Sequence, residues 1–399
     1  LTVDQAVGVA KSLRPRLIAE QSATEIRTRH SPELQQEFVL AGFYDLLRPR
    51  TFGGLEFDIP SFLSVMRELA RGCISTAWSV CLASGHTLQA ASWWPEDVQR
   101  EIFSESYFAA PATIVPSGRL TRRGSDWILE DGDYRYASGS PYATHFIGHA
   151  MVHDNGQRHI AVFLAPRANW TILDDWGNTL GLRGSGSNTV RFIQTELADC
   201  WVLDHCSLLD LDVSFGSPGL ALHGNPIYAA RAHGFFSLEL AALALGAVWA
   251  ALDEYEVLLT TRRSSAPPFG LRSDNPDYAS WFGAAHARLH AADAVADRGA
   301  QLFMECCLRG AEGGKPFSHA EDLLINMLAR EALTMAWSVM QDTIARTSGS
   351  SSVVTGSRLE RIWRDLTMAW GHTNSILRDE ISRSYTAQYL RGRPENDVG

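Results

Sequence analysis

The apolar positions change period twice along the chain. From Val3 to Phe108 they recur at three- and four-residue steps. Leu34, Phe38, Val39 and Leu46 follow this spacing, as do Ile59–Leu69 and Thr76–Trp94, and it predicts amphipathic helices. Ser31-Pro32-Glu33 marks a helix start, with a serine to cap the free N–H groups and a proline in the first turn. Between Ala109 and Leu211 the period shortens. Trp127–Leu129, Tyr134–Ala137, Phe146–Val152, His159–Leu164, Trp170–Leu173 and Thr189–Ile193 are brief β-rich runs parted by Gly, Asp, Asn and Ser. From Tyr228 to Leu390 the helical period returns, over roughly 228–263, 276–309, 319–347 and 357–390. The expected organisation is a helical domain over 1–108, a β domain over 109–213 and a helical bundle over 214–399. That is a mostly α, α+β chain in three layers, not a doubly wound sheet.

The joints agree with this division. Ser214–Pro226 is rich in Gly, Ser and Pro and reads as the linker into the bundle, Ser264–Asn275 parts two bundle helices, and Thr347–Gly356 is a serine-rich approach to the last one. The most apolar stretch, Leu240–Leu252, is fenced by Glu239 and Asp253; its 13 residues are too few to cross a bilayer and predict a buried core helix. Lys11, Arg14 and Arg16 interrupt any signal-like run near Val3–Leu17. The cysteines at 73, 81, 200, 206, 306 and 307 form no C-x-x-C pair and are expected to be the reduced thiols of a cytoplasmic protein. With 35 basic and 45 acidic residues the net charge is −10, which argues against a nucleic acid or an anionic membrane surface as partner. Only Lys11 and Lys315 are lysines. Codon usage in a GC-rich genome accounts for such a bias; the sharper alternative is a need for the planar guanidinium fork at anion sites.

Several common site signatures are absent: no G-x-x-x-x-G-K-[ST] loop, no H-E-x-x-H, no G-x-S-x-G elbow. Gly184-Ser185-Gly186-Ser187 contains a G-x-G but leads into a strand, so it is no dinucleotide fingerprint. His86 closes the helical run that begins at Ser75, Ser138-Gly139-Ser140 follows the strand Tyr134–Ala137, and His372 lies on the last helix after Arg364-Asp365. Each has an ordinary structural reading, respectively a helix-end histidine, a turn and a helix carrying a solvated ion pair. His145 and His149 have no carboxylate or thiolate at ligand spacing, and no metal site is expected.

Taken in order, five stretches change those readings. They are Ala41-Gly42-Phe43-Tyr44-Asp45-Leu46-Leu47-Arg48-Pro49 with Phe52-Gly53-Gly54-Leu55; Ser75-Thr76-Ala77-Trp78 with His86; Ala137-Ser138-Gly139-Ser140 with Ala143; Gly181-Leu182-Arg183-Gly184-Ser185-Gly186-Ser187-Asn188; and Leu359–Asp365 with His372. The combination, spread from Ser31 to Asp379, resembles the flavin-dependent monooxygenase branch of the acyl-CoA dehydrogenase fold. Within that branch it is similar to the oxygenase components of two-component aromatic hydroxylases acting on 4-hydroxyphenylacetate or secosteroid phenols. The resemblance implies an N-terminal helical domain, a central β-barrel-like domain and a C-terminal four-helix bundle, assembled as a homotetramer. It also implies a separate flavin reductase as partner, with reduced FMN (or FADH2) and O2 reacting to a C4a-(hydro)peroxide that hydroxylates a small aromatic substrate. Residue by residue, it makes His372 the general base for the substrate phenol, Ser138 the hydroxyl at the flavin N5/C4a edge and His86 a second histidine holding substrate or peroxide. Trp78 is implied as a cavity wall, Ser140, Ser187 and Asn188 as flavin contacts, and Arg262 as a phosphate ligand.

Two departures bear on the substrate. Tyr142 stands where those hydroxylases carry a histidine, and Thr373-Asn374-Ser375-Ile376 follow His372 where relatives place an aspartate, Asp379 coming later. Alternatives are an acyl-CoA dehydrogenase, which needs a bundle carboxylate where this chain has Ala369-Trp370-Gly371-His372-Thr373, and an N-oxygenase of an amino sugar or amine. A catalytically dead scaffold is disfavoured by the joint presence of His86, Ser138 and His372.

Overall fold

The computed structural model describes residues 1–154, 157–265, 267, 269–372 and 376–391. Six helices come first: α1 Val3–Arg27, α2 Pro32–Leu40, α3 Ile59–Gly72, α4 Ile74–Gly85, α5 Thr87–Trp93 and α6 Glu96–Ile102. Their starts follow local chemistry. The side chains of Thr2, Ser31 and Asp58 accept from N–H groups of the first turn, which have no carbonyl partner within the helix.

Ten strands follow among the described residues, most of them short: β1 Ala112–Thr113, β2 Arg119–Arg123, β3 Asp126–Leu129, β4 Gly132–Tyr134, β5 His145–Asp154, β6 Gln157–Pro166, β7 Thr171–Ile172, β8 Val190–Phe192, β9 Thr195–Leu197 and β10 Val202–Leu203. One sheet runs β10-β6-β5-β2-β3-β9, with β1 added parallel to β5; a second runs β4-β8-β7. The two sheets share one aromatic core. Phe146 and Phe163 from the larger meet Tyr134 and Phe192 from the smaller, Trp127 belongs to the same core, and this gives the domain its barrel-like character. Four of the strands, β1, β2, β9 and β10, have too few residues or too many charges to show a period in sequence.

The helical region continues with α7 Pro218–His223, α8 His233–Thr261, α9 Pro276–Ala311, α10 His319–Ser338, α11 Arg346–Ser348, α12 Arg358–Trp370 and α13 Arg378–Arg391. Two sequence expectations change here. The helix expected over 319–347 relaxes to a π-helical turn at Val339–Ala345. The helix expected over 357–390 stops at Trp370, where Gly371 takes the C-cap; a residue without a side chain weakens continuation at that point. His372 therefore stands just beyond α12, not on it.

Helix α8 lies at the centre of the bundle, packed against α3, α4, α9, α10 and α12. It is long and apolar enough to cross a membrane, which the 13-residue stretch alone did not suggest, but 89% of its most apolar window is buried inside the protein. A lipid-facing helix would be open there. Close packing of α8 depends on Gly246, where a Cβ would overlap the Arg67 carbonyl oxygen of α3. Gly8, on the exposed face of α1, has nothing within 4 Å.

The two glycines should respond oppositely to alanine. Both changes gain about 1 kcal/mol of helix propensity. Gly246→Ala should nevertheless lower stability by about 1–3 kcal/mol through overpacking, whereas Gly8→Ala should raise it. Urea midpoints of the two variants check the pair.

Candidate active site

Two loops at the edge of the smaller sheet are joined side by side. Ala137 N–H donates to the Asn188 carbonyl at 3.2 Å and Gly139 N–H to the Ser185 carbonyl at 3.1 Å. Ser140 Oγ donates to the Gly186 carbonyl at 3.1 Å. Gly139, with φ +83°, turns this loop against α4, where a Cβ would press on the Ser79 carbonyl oxygen at 2.8 Å. Glycine is required there by conformation and by space alike.

A hydrogen-bonded line of hydroxyls crosses the two loops. Trp78 Nε1–H donates to Ser138 Oγ at 3.0 Å, Ser138 Oγ lies 2.8 Å from Ser187 Oγ, and Ser187 Oγ lies 2.7 Å from Ser185 Oγ. The far end sets the direction. Ser185 Oγ–H is committed to the Leu182 carbonyl at 2.7 Å, so Ser187 must donate to Ser185 and Ser138 to Ser187. A hydroxyl has one proton and two lone pairs. Ser138 has given its proton to Ser187 and one lone pair to Trp78, which leaves one acceptor position.

The second loop is fastened to α12 and α4 by Asp365. Its Oδ1 accepts the Leu182 N–H at 2.6 Å and its Oδ2 the Ser75 hydroxyl at 3.2 Å. Gly181 lets the loop approach so closely that a Cβ would overlap the Arg364 carbonyl oxygen. Arg364 itself donates to the Leu180 carbonyl at 2.9 Å and pairs with Glu25 at 2.9 Å and with Glu360. Arg364 and Asp365 are buried, 9% and 2% exposed. They are the clamp on the loop, not the solvated pair that their spacing suggested.

Trp78, His86, Ser138, Ser187 and His372 line one cavity of about 720 Å³. Leu82, Trp176, Phe236, Leu240 and Met368 add apolar wall. His86 is the joint between α4 and α5, and its Nδ1 meets the Ala110 carbonyl at 2.8 Å. A carbonyl only accepts, so Nδ1 carries the proton. Burial lowers this imidazole to about 4, which makes it neutral, with Nε2 an acceptor. His233 and His372 are also depressed to about 4 by burial. His372 nonetheless keeps an exposed residue surface at the cavity mouth, and hydration there opposes the depression. Its ring meets Trp78 edge-on, with centroids 5.7 Å apart.

Other residues named from the sequence take supporting places. Ser140 and Asn188 are buried behind the cavity, Asn188 Nδ2 donating to the Leu173 carbonyl at 2.8 Å. Arg262 is the exposed C-cap of α8 and does not line the cavity. Tyr142 also points elsewhere, its hydroxyl donating to the His30 carbonyl at 2.7 Å and its ring packed on His30. Asp379 is exposed in the first turn of α13; residues 373–375, which separate His372 from the expected acid, lie outside the described residues. His145 and His149 are buried among β-domain partners, His149 Nε2 accepting the Leu208 N–H at 3.1 Å.

Comparison with known proteins identifies the fold of this architecture. Residues 238–375 match the family model of the acyl-CoA dehydrogenase C-terminal domain. The chain is 25% identical to a pigment production hydroxylase of Rhodococcus sp. (strain ATCC 21145), over 90% of each chain. It is 26% identical to the oxygenase subunit of a flavin-dependent monooxygenase of Rhodococcus jostii (strain RHA1), over 89% of this chain and 90% of the relative. The crystal structure of a 3-HSA hydroxylase from Rhodococcus sp. RHA1 superposes with a TM-score of 0.87 at 22% identity, covering 98% of each chain. The chain has the acyl-CoA dehydrogenase fold. In this fold, as seen here, the cavity opens where the β domain, α4 and the bundle meet. Sequence reasoning passed over His233 and Glu239 in its lining and Ser185 behind Ser187. Ser185 lay within a motif without a role, His233 within a helix, and Glu239 was taken for the fence of an apolar run; a lone acid beside such a run was the available signal.

Asp365 supplies a pH test. Burial raises its carboxyl from 3.8 to about 7, against the opposing pull of the Leu182 N–H. The unfolded chain thus releases this proton at lower pH than the folded one. The contribution to stability is complete below about pH 4 and is lost as pH rises towards 7. Asp365→Asn keeps an acceptor for Leu182 and cannot titrate, so its stability should fall less steeply between pH 4 and 7. Denaturant melts across that window check the slope.

Proposed function

We propose that this chain is the oxygenase component of a two-component flavin-dependent monooxygenase that hydroxylates an aromatic, phenolic or fused-ring substrate. The observation that carries this reading is the convergence of Trp78, His86, Ser138, Ser187 and His372 on one largely apolar cavity. Those residues fit a flavin. Trp78 and Trp176 offer aromatic surface, and Ser138 offers an oriented hydroxyl with one acceptor position open. Reduced flavin, FMN or FADH2 delivered by a separate reductase, supplies the electrons and the activation of O2.

The protein's own part is orientation and proton control. Ser138, its proton directed to Ser187, would be free to accept from an N–H of a bound reduced flavin. The apolar walls keep water from the reacting atoms. The neutral His372 imidazole takes the proton of the substrate hydroxyl, and the resulting phenolate is the stronger nucleophile. His86 Nε2 accepts from a polar hydrogen of the substrate. Of the carboxyls in the lining, Asp133 is engaged by Arg191, and Glu239 is fully buried, which drives its carboxyl well above the ordinary range. Neither resembles the ionised base that an acyl-CoA dehydrogenase requires, which favours the oxygenase. The same reading makes the enzyme a cytoplasmic homotetramer.

Mixing apoprotein with chemically reduced FMN in aerated buffer should give a transient absorbing species before oxidised flavin appears; reoxidation at the protein-free rate rejects the reading. His372→Ala should keep that transient yet release H2O2, with hydroxylated product down at least about tenfold, the loss of one well-placed general base. Unchanged product yield removes His372 from that role.

Loss of the Ser138 acceptor should be visible separately. Ser138→Ala should shorten the transient's lifetime by about five- to tenfold, the worth of one hydrogen bond. Ser187→Ala, which frees the Ser138 proton but keeps the Ser138 acceptor, should shorten it less. Stopped-flow traces of both variants decide.

A further inference from the structure

The end of the cavity between α4 and α8 holds polar atoms that the chemistry above leaves unused. Glu239, in the second turn of α8, has no exposed surface yet lines the cavity. Its Oε1 accepts from the Cys81 thiol at 3.7 Å, and its Oε2 has no hydrogen-bond partner among the described residues. Space for this carboxyl exists because residue 85 is glycine; a Cβ there would overlap Glu239 Oε1. Leu82, Phe236 and Leu240 form the apolar surroundings. A carboxyl that is desolvated and lacks a counter-charge favours its neutral form, and burial drives this one well above the ordinary range. With the Cys81 S–H directed at Oε1, the acid proton belongs on Oε2.

We propose that Glu239 is a substrate-specificity residue, its Oε2–H donating a hydrogen bond to a hydroxyl or carbonyl oxygen of the aromatic substrate at the α4–α8 end of the cavity. The class of substrate rests on the oxygenase reading; the site itself rests on Glu239, Cys81 and Gly85. His86 directly follows Gly85 and lines the same cavity, and with Nδ1 committed to the Ala110 carbonyl its Nε2 is left as the acceptor. The pair is complementary to a phenolic hydroxyl, which donates to an imidazole nitrogen and accepts from an acid O–H. A bare hydrocarbon ring of the same size satisfies neither atom and leaves a buried O–H unpaired. A cationic amine is the competing ligand, since it would draw Glu239 into its ionised form.

Calorimetric titration of the full chain with 2-naphthol and naphthalene, matched but for one hydroxyl, tests the site. The wild-type protein should prefer 2-naphthol. Glu239→Leu should cut that preference about tenfold. The isosteric Glu239→Gln, whose amide still donates, should hold it within about threefold of wild type. Equal losses in Gln and Leu variants overturn the neutral donor in favour of an anion, and an unchanged preference in Glu239→Leu overturns the site. Failure of the oxygenase reading looks different. Wild-type protein that reoxidises reduced FMN at the protein-free rate but shows the Glu239-dependent preference loses that reading and keeps this subsite.

Discussion

The Asp365 carboxylate group reaches two elements at once, the Leu182 N–H in the glycine-serine loop and the Ser75 hydroxyl at the start of α4. Much of the cavity depends on that bridge. The loop it holds presents Ser185 and Ser187; those hydroxyls fix the proton of Ser138; and Ser138 receives the Trp78 N–H from the same helix that Asp365 grips through Ser75. The line is closed on itself, so no member can turn without leaving a buried donor or acceptor unpaired. Such networks are rigid when complete and costly when broken.

The second constraint is dryness. Three histidines and one glutamate face the cavity, and burial pushes each towards its neutral form. For the imidazoles this produces acceptors that need not first lose a proton at neutral pH. For Glu239 it produces a donor from a residue ordinarily an acceptor. One apolar environment thus turns bases and an acid into complementary partners, because in each case the charged form is the one that desolvation disfavours.

Helix α8 links these effects to the fold. It lies at the centre of the bundle, it is closely apposed to α3 through Gly246, and it carries His233, Phe236, Glu239 and Leu240 into the cavity. The core that stabilises the bundle and the wall that shapes the cavity are therefore faces of one element. Substitutions on α8 will rarely touch one without the other.

Period and capping signals in the sequence were enough for the three layers, since amphipathic repeats and N-cap residues act locally. They also revealed the starts of α2 and α3 and the long central strands. The motif resemblance singled out Trp78, His86, Ser138, Ser187 and His372, although not what they touch. Local rules failed where partners are distant in the chain. Arg364 and Asp365 read as a surface pair because nothing nearby in sequence shows a loop more than 180 positions away. Arg262 looked able to reach a ligand until the end of α8 placed it outside the cavity, and Tyr142 looked like a site residue until His30 claimed its hydroxyl. The sequence alone determined the three layers and most of the longer elements, and it named the candidate site residues. Only the tertiary structure decided which of those residues face one another, which hold a proton and which are support, because burial and hydrogen-bond direction depend on neighbours that chain order does not reveal.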